Sequence, residues 1–280
     1  MGIDIGQALR EGASRTTAKN GLILAAVFAG IALLTTVLLQ SLALAVLEFS
    51  VEAMQEVSPG ELEGFTQEEY DEFIAQADQF RETVPLALGI SVGAASGGLL
   101  AVALVAEAAS IIAVRVFSAD DAAAISGEAV TENILLATIN GFVGKILVWG
   151  TILLGSIFLF LPGIAFAVLF YFLRQEIAIK NKNFVQAMAD SWRITKGHRL
   201  EVFVIGVILV VVSQLEGVVS TVIGVVSTTG GLIGAAIVGG LLAAFGAAVA
   251  TRAYVQIDED ATDEPKDPYD AALGPDDLPQ

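Results

Sequence analysis

Residues 21–47 read GLILAAVFAGIALLTTVLLQSLALAVL, 27 consecutive residues with no charged side chain. A helix needs roughly 20 apolar residues to cross the hydrocarbon core of a bilayer. Five further apolar stretches follow, at Val84–Val114, Ile134–Leu161, Gly163–Ile179, Val202–Val226 and Leu232–Val255. Ile134 to Ile179 is too long for one crossing, and Pro162-Gly163 is the expected dividing point, because proline and glycine punctuate helices. The runs are continuous rather than alternating, which favours helices over a barrel. Hydrophobic residues make up 55% of the chain and the mean hydropathy is +0.74, above an ordinary soluble domain. The expected fold is all-α: a polytopic bundle of six transmembrane helices, with short interfacial helices and one outer amphipathic helix. Residues 1–256 form the membrane domain, with an outer acidic loop at 48–83, and residues 257–280 an acidic, disordered cytoplasmic tail. A signal-peptide core is about 7–15 residues long, so the first run reads as a retained span.

Lysine and arginine set the orientation of such a bundle. Six spans place the N-terminal segment, Arg115, the stretch Arg174–Arg199, Arg252 and Lys266 on one side, 12 of the 14 basic residues. Arg81 falls on the other side and Lys145 inside a span. Both termini are therefore expected in the cytoplasm, with the spans in the plasma membrane.

The net charge is −17, and of 31 acidic residues 11 lie in Glu48–Glu82 and 9 in Asp258–Asp277. Acid-rich, lysine-poor segments fit a protein bathed in concentrated salt, where the Debye length shrinks to about 3 Å at 1 M. A cation-binding loop is the rival reading. The acidic balance argues against a nucleic-acid partner, which needs a basic footprint. There is no cysteine, which removes disulfides, thiol chemistry and cysteine metal sites.

In the outer loop, Thr66 and Glu69 have the spacing of a capping box, with Phe65 and Tyr70 placed as a hydrophobic staple. Tyr70, Phe73, Ile74 and Ala77 then form an apolar stripe at helical spacing. Three other stretches precede odd-numbered spans: Ile5, Ala8, Leu9, Gly12 and Ala13; Ile125, Ala129 and Val130; and Phe184, Met188 and Trp192, ending at Gly197. Each reads as an interfacial helix before a two-span hairpin. Whether these units are a true repeat is open, since their residue identity is poor. Small residues recur at helical spacing at Gly89, Gly93 and Gly97, at Ala235, Gly239 and Ala243, and at Ala236, Gly240 and Ala244. Such faces let helices pack closely within a bilayer.

Gly89-Ile90-Ser91-Val92-Gly93 matches a serine nucleophile pattern, which requires a strand-turn-helix setting and a histidine partner. Here the pattern lies in an apolar run near the outer end of the second span. The sole histidine, His198, stands at the opposite face. No catalytic residue, metal site or cofactor is expected. Charges within spans are more informative, because they are costly and normally paired or functional. Glu107, Lys145, Arg174 and Glu176 all belong to the cytoplasmic half and are expected to meet in an ion-pair network, with Lys145 within reach of Glu107 or Glu176. A polar path for a substrate or proton is the alternative. Gln214 and Glu216 stand apart in the outer half of the fifth span. The helix at Phe184–Gly197, carrying Arg193 and Lys196, is expected to brace the hairpin, or with Arg199 to meet lipid headgroups.

The segment Leu161-Pro162-Gly163-Ile164, then Arg174 and Glu176, then Ala187, Met188, Ser191, Trp192, Ile194, Lys196 and Gly197 resembles the six-span membrane domain attached to some bacterial glycerophosphoryl diester phosphodiesterases. Related stand-alone membrane proteins of salt-loving archaea share it. In that family a Pro-Gly turn and an Ala-Leu-x-x-Ser-Trp-x-Leu-x-Lys-Gly segment recur; here Met188 and Ile194 replace leucines. The specific part covers Leu161–Arg199. The resemblance implies a six-helix membrane domain of obscure role. The phosphodiesterase activity belongs to a separate soluble domain and is not carried over. The resulting expectation is a non-enzymatic scaffold or accessory in envelope or lipid processes, with a small-solute or ion transporter or channel as the alternative. Its partner is the lipid bilayer; a membrane-protein partner or a second copy is left open.

Overall fold

The computed structural model describes residues 2–56, 66–119, 127–158 and 160–263. In these residues every regular element is helical: α1 (Ile5–Thr17), α2 (Lys19–Glu56), α3 (Gln67–Thr83), α4 (Val92–Ser118), α5 (Gly127–Thr131), α6 (Ile134–Phe158), α7 (Phe160–Leu169), α8 (Leu173–Lys180), α9 (Phe184–Ile194), α10 (Arg199–Gly224) and α11 (Thr228–Asp263). Six stretches are long and apolar enough to cross a membrane, the fourth being counted across α7 and α8.

The chain forms two compact units: residues 1–22, 110–210 and 244–280, and residues 23–109 and 211–243. The first unit holds two hydrophobic cores. One joins Ala8 of α1, Phe172, Val202 and Ile205 of α10, and Val249, Ala253, Tyr254 and Ile257 of α11. The other joins Ile111 and Val114 of α4, Ala137 of α6, Leu173, Ile177 and Ala178 of α8, and Ala187 of α9. The eight-residue helix α8 therefore follows directly from one core, at Phe172, into the other.

The stripe read on α1 packs as expected in part. Ala8 and Gly12 are buried with Thr16, at a spacing of four, while Ala13 is exposed. A Cβ on Gly12 would run into Val249, so the two helices touch where the glycine lies. On α9 the buried face is Ala187, Ser191 and Thr195, Phe184 and Met188 are half-buried, and Trp192 remains 45% exposed. The helix ends at Ile194, and Gly197, at φ +101°, supplies the left-handed residue that lets the chain turn into α10.

In the second unit α3 carries the expected capping box between Thr66 and Glu69. Ala77 is buried and Tyr70, Phe73 and Ile74 are half-buried. Phe65, the staple partner, lies outside the described residues. Gly240 is the closest approach: a Cβ there would sit 2.5 Å from the Ala25 carbonyl oxygen and the Ala29 nitrogen of α2. The Ala236–Gly240 stripe thus packs backbone to backbone.

Several expectations are corrected. The second span does not begin at Val84. Residues 84–91 are non-helical, so Gly89 precedes the helix, and a Cβ on Gly89, Gly93 or Gly97 would meet nothing within 4 Å. This glycine face packs no helix of the described chain; the contact comes from Gly98, whose Cβ position lies 2.9 Å from Leu38. The irregular segment is tolerated because α2 satisfies its backbone: Leu86 N–H donates to Gln40 Oε1 at 2.8 Å and Leu88 N–H to Ser41 Oγ at 2.8 Å. Pro162 and Gly163 lie within the first turns of α7 rather than between helices. Proline is accommodated there because the first N–H groups of a helix have no intrahelical acceptor. The real interruption of the fourth span is Phe170–Phe172. The tail boundary also moves: α11 continues to Asp263 and Ile257 belongs to a core, so 257–263 is helical. Residues 264–280 lie outside the described residues, as do 57–65 of the acidic loop and Ile125.

Candidate functional site

Glu176 lies 1% exposed on α8 and organises the charges of the first unit. Its Oε1 accepts a 2.8 Å hydrogen bond from the Tyr254 hydroxyl of α11 and is 3.6 Å from Lys180 Nζ. Its Oε2 accepts from Lys182 Nζ. Lys182 also reaches Asp190 of α9 at 2.7 Å, and Asp190 holds Arg193 at 3.0 Å. Lys180 continues to Asp258 of α11 at 2.6 Å and stands over the Tyr254 ring, 5.5 Å from its centroid. The result is one alternating chain, Arg193–Asp190–Lys182–Glu176–Lys180–Asp258, tying α9 and α11 to α8. Partial burial works against the Lys182 charge, but the Asp190 and Glu176 carboxylates outweigh it and raise its pKa. The hydrogen bond from Lys182 holds Asp190 below the usual carboxylate range.

The C-terminal end of α8 is also held by Arg115 of α4. Its Nε donates to the Ala178 carbonyl at 2.8 Å, Nη1 to the Glu132 carbonyl at 2.7 Å and Nη2 to Asn181 Oδ1 at 3.3 Å. A cation at the C-terminus of a helix also meets the negative end of its dipole. Asn181 caps α8 in the left-handed region, at φ +53°, and its Nδ2 donates to Glu132 Oε1 at 3.0 Å.

The break between α7 and α8 is closed by Ser191 of α9, which is fully buried. Its hydroxyl accepts from the Phe172 N–H at 3.2 Å and donates to the Leu169 carbonyl at 3.0 Å. The Asn140 side chain of α6 likewise accepts from the Phe184 N–H, at 3.1 Å. On α11, Arg252 pairs with Glu11 of α1, whose other oxygen accepts from Gln7 at 2.8 Å. Burial opposes ionisation of Glu11, but the Gln7 and Arg252 hydrogen bonds prevail and lower its pKa.

Of the four charges expected to cluster, Glu176 is the centre, and its cations are Lys180 and Lys182, which the sequence had not assigned to it. Arg174 is half-buried on α8. Lys145 is exposed on α6. Glu107, 1% exposed, belongs to the other unit. In that unit Glu216 of α10 is exposed, with its carboxylate beside Gly239 of α11: a Cβ on that glycine would lie 2.9 Å from Oε2. Gln214 is exposed on the same helix. Lys182, Asp190 and Asp258 lie at or beyond the ends of the spans, and Tyr254 carries no charge, so none stands out in the sequence as a partner of Glu176. The Glu176–Lys180 spacing of four was a readable signal.

Chemically, these groups neutralise one another and close backbone gaps. Ser91 is a helix cap: its Oγ accepts from the Ala94 N–H at 3.2 Å. Among the described residues no group of three His, Cys, Asp or Glu side chains could hold a metal ion.

Six apolar spans, with charges gathered into pairs beside them, define a multi-pass α-helical membrane protein. The chain belongs to the family described as "Domain of unknown function (DUF7847)", whose model matches residues 3–257. No curated protein and no solved structure matches it.

Proposed function

We propose that this protein is a non-enzymatic scaffold or accessory in envelope or lipid processes, seated in the plasma membrane of a salt-adapted archaeon with both termini in the cytoplasm. Kinship to the membrane domain of the glycerophosphoryl diester phosphodiesterases belongs to the same proposal and rests on the Leu161–Arg199 motif. The observation that carries the scaffold reading is the pairing of Glu176: Tyr254 links it to α11 and Lys182 links it through Asp190 to α9, so the charge is used to join helices. The test is reconstitution into sealed vesicles. Proton and ion flux should equal that of protein-free vesicles, and Glu176→Gln should lower the unfolding temperature. Protein-dependent flux that Glu176→Gln abolishes would overturn the scaffold reading. Orientation is tested with cysteines introduced at Ser58 and Thr262, which should label from opposite sides of intact cells.

A transporter is the second reading, and one feature favours it. The fourth span is interrupted at Phe170–Phe172, and near that interruption the Tyr171 hydroxyl and Gln175 Oε1 are buried without hydrogen-bond partners among the described residues. Interrupted helices carrying buried polar atoms are the raw material of transporter sites. Protein-dependent flux lost in Tyr171→Phe would establish this alternative.

A further inference from the structure

A groove of about 370 Å³ runs along the first unit between α7 and the start of α10. It is lined by Ala165, Val168, Leu169, Arg199, Leu200 and Phe203. That volume lies in the lower part of the roughly 300–1,000 Å³ range of small-molecule sites. Five of the lining residues are apolar; the sixth, Arg199, is the first residue of the fifth membrane-crossing stretch. The groove is thus an apolar trough with a guanidinium at the membrane boundary.

The charges around that end are unbalanced. Lys180, Lys182 and Arg193 are committed to carboxylates. Lys196 and Arg199 are both exposed and take part in no ion pair among the described residues. The carboxylate of Glu201 lies instead beside Gly2, 3.0 Å from where its Cβ would sit. Trp192, 45% exposed, stacks at a tilt on Phe170 with 6.1 Å between centroids, placing an indole at the end of α7. Tryptophan favours headgroup depth, and basic pockets beside membrane helices bind anionic headgroups.

We propose that this groove binds an anionic phospholipid. The acyl chain lies along Ala165, Val168, Leu169, Leu200 and Phe203, and the phosphate is held by Lys196 and Arg199. The uncompensated Arg199 at the end of the trough, with Lys196 three residues before it in sequence, calls for an anion with an apolar tail, which an apolar protein helix does not supply. The site goes beyond the scaffold reading and stands or falls separately from it.

The experiment uses the full chain in detergent, titrated with phosphatidylglycerol or phosphatidylcholine of identical acyl chains and read by native mass spectrometry. Wild type should retain phosphatidylglycerol in preference. Each cation near a headgroup contributes about fivefold, so the double variant Lys196→Gln/Arg199→Gln should lose about thirtyfold in phosphatidylglycerol affinity and leave phosphatidylcholine unchanged. Ala165→Phe fills the trough with both cations intact and should weaken both lipids. Equal binding of the two lipids by wild type, an unchanged preference in the double variant, or unchanged binding in Ala165→Phe would each overturn the proposal. If the double variant fails to fold, the wild-type preference and the Ala165→Phe titration decide it. Recovery of a second copy of the chain in place of lipid would also overturn it.

Discussion

Ser191→Ala isolates what holds the broken fourth span together. The substitution removes one oxygen atom and orphans two backbone groups, the Phe172 N–H and the Leu169 carbonyl, in a position with no solvent access. An unsatisfied buried donor costs about 1–3 kcal/mol, and a carbonyl with a second lone pair falls near the low end of that range. The sum is about 2–4 kcal/mol. Hydrogen bonds between membrane helices average nearer 0.6 kcal/mol when the inserted, unpacked chain finds other partners. Here the gap lies within a helix break, and the neighbouring N–H groups of Tyr171 and Leu173 already bond to Val168 and Phe170, so local rearrangement offers no substitute. Thr195→Val is the control. Its hydroxyl, equally buried, donates to the Ser191 and Trp192 carbonyls of its own helix, so removal orphans no donor and should cost under about 1 kcal/mol. Unfolding in mixed micelles, followed by circular dichroism, compares the two. The reasoning fails if Ser191→Ala and Thr195→Val are indistinguishable and both lie within about 0.5 kcal/mol of wild type.

Glu176→Gln should destabilise by about 3 kcal/mol, the low end for breaking a buried pair, because Lys182 keeps Asp190 and Lys180 keeps Asp258; micellar unfolding checks it. Gly240→Leu should abolish the monodisperse species in size-exclusion chromatography, since its Cβ would meet the α2 backbone at 2.5 Å. Gly97→Ala, facing open space, should be neutral or gain up to about 1 kcal/mol in the same micellar assay. Stability against pH should be level across the neutral range. The lowered Asp190 pKa adds stability present above the unfolded value, about 3.9, and lost as pH falls through the folded one. The raised Lys182 pKa adds stability present below about 10.4 and lost as pH rises through the folded one. An Asp190→Asn variant should flatten the acid limb; an unchanged limb would refute the assignment.

The spans were legible because each apolar run is long enough to cross a bilayer whatever it packs against. Thr66 and Glu69, Gly197, and the stripe of α3 were legible because their signals are local. Two of the departures involve partners distant in sequence. Phe170-Tyr171-Phe172 contains no helix breaker, and what permits the break is a hydroxyl on α9. Residues 84–91 read as apolar helix, yet Gln40 and Ser41 on α2 offer their backbone another set of bonds. Pro162 reads as a turn residue, yet proline is equally at home in a first helical turn. The burial of Glu176 follows from its place in a span; its pairing with Lys182 depends on how the chain leaves α8 at Asn181.

The separation of Glu176 from Tyr254 has a consequence for synthesis of the chain. The fourth span carries Arg174, Glu176 and Lys180 in its C-terminal third, and charges within a span resist insertion, by about 2.5–3.5 kcal/mol each at a helix centre and by less toward its end. Its first companion is α6, which it meets at close range: a Cβ on Gly155 would lie 3.0 Å from the Gly163 nitrogen. The third and fourth spans should therefore enter the bilayer as one hairpin. Lys182 and Asp190 emerge soon afterwards, but Tyr254 is 78 residues behind Glu176. At about 5–20 residues per second, the carboxylate waits about 4–16 s for that hydroxyl. Through that interval the half-made bundle carries an acid that still lacks one of its hydrogen bonds.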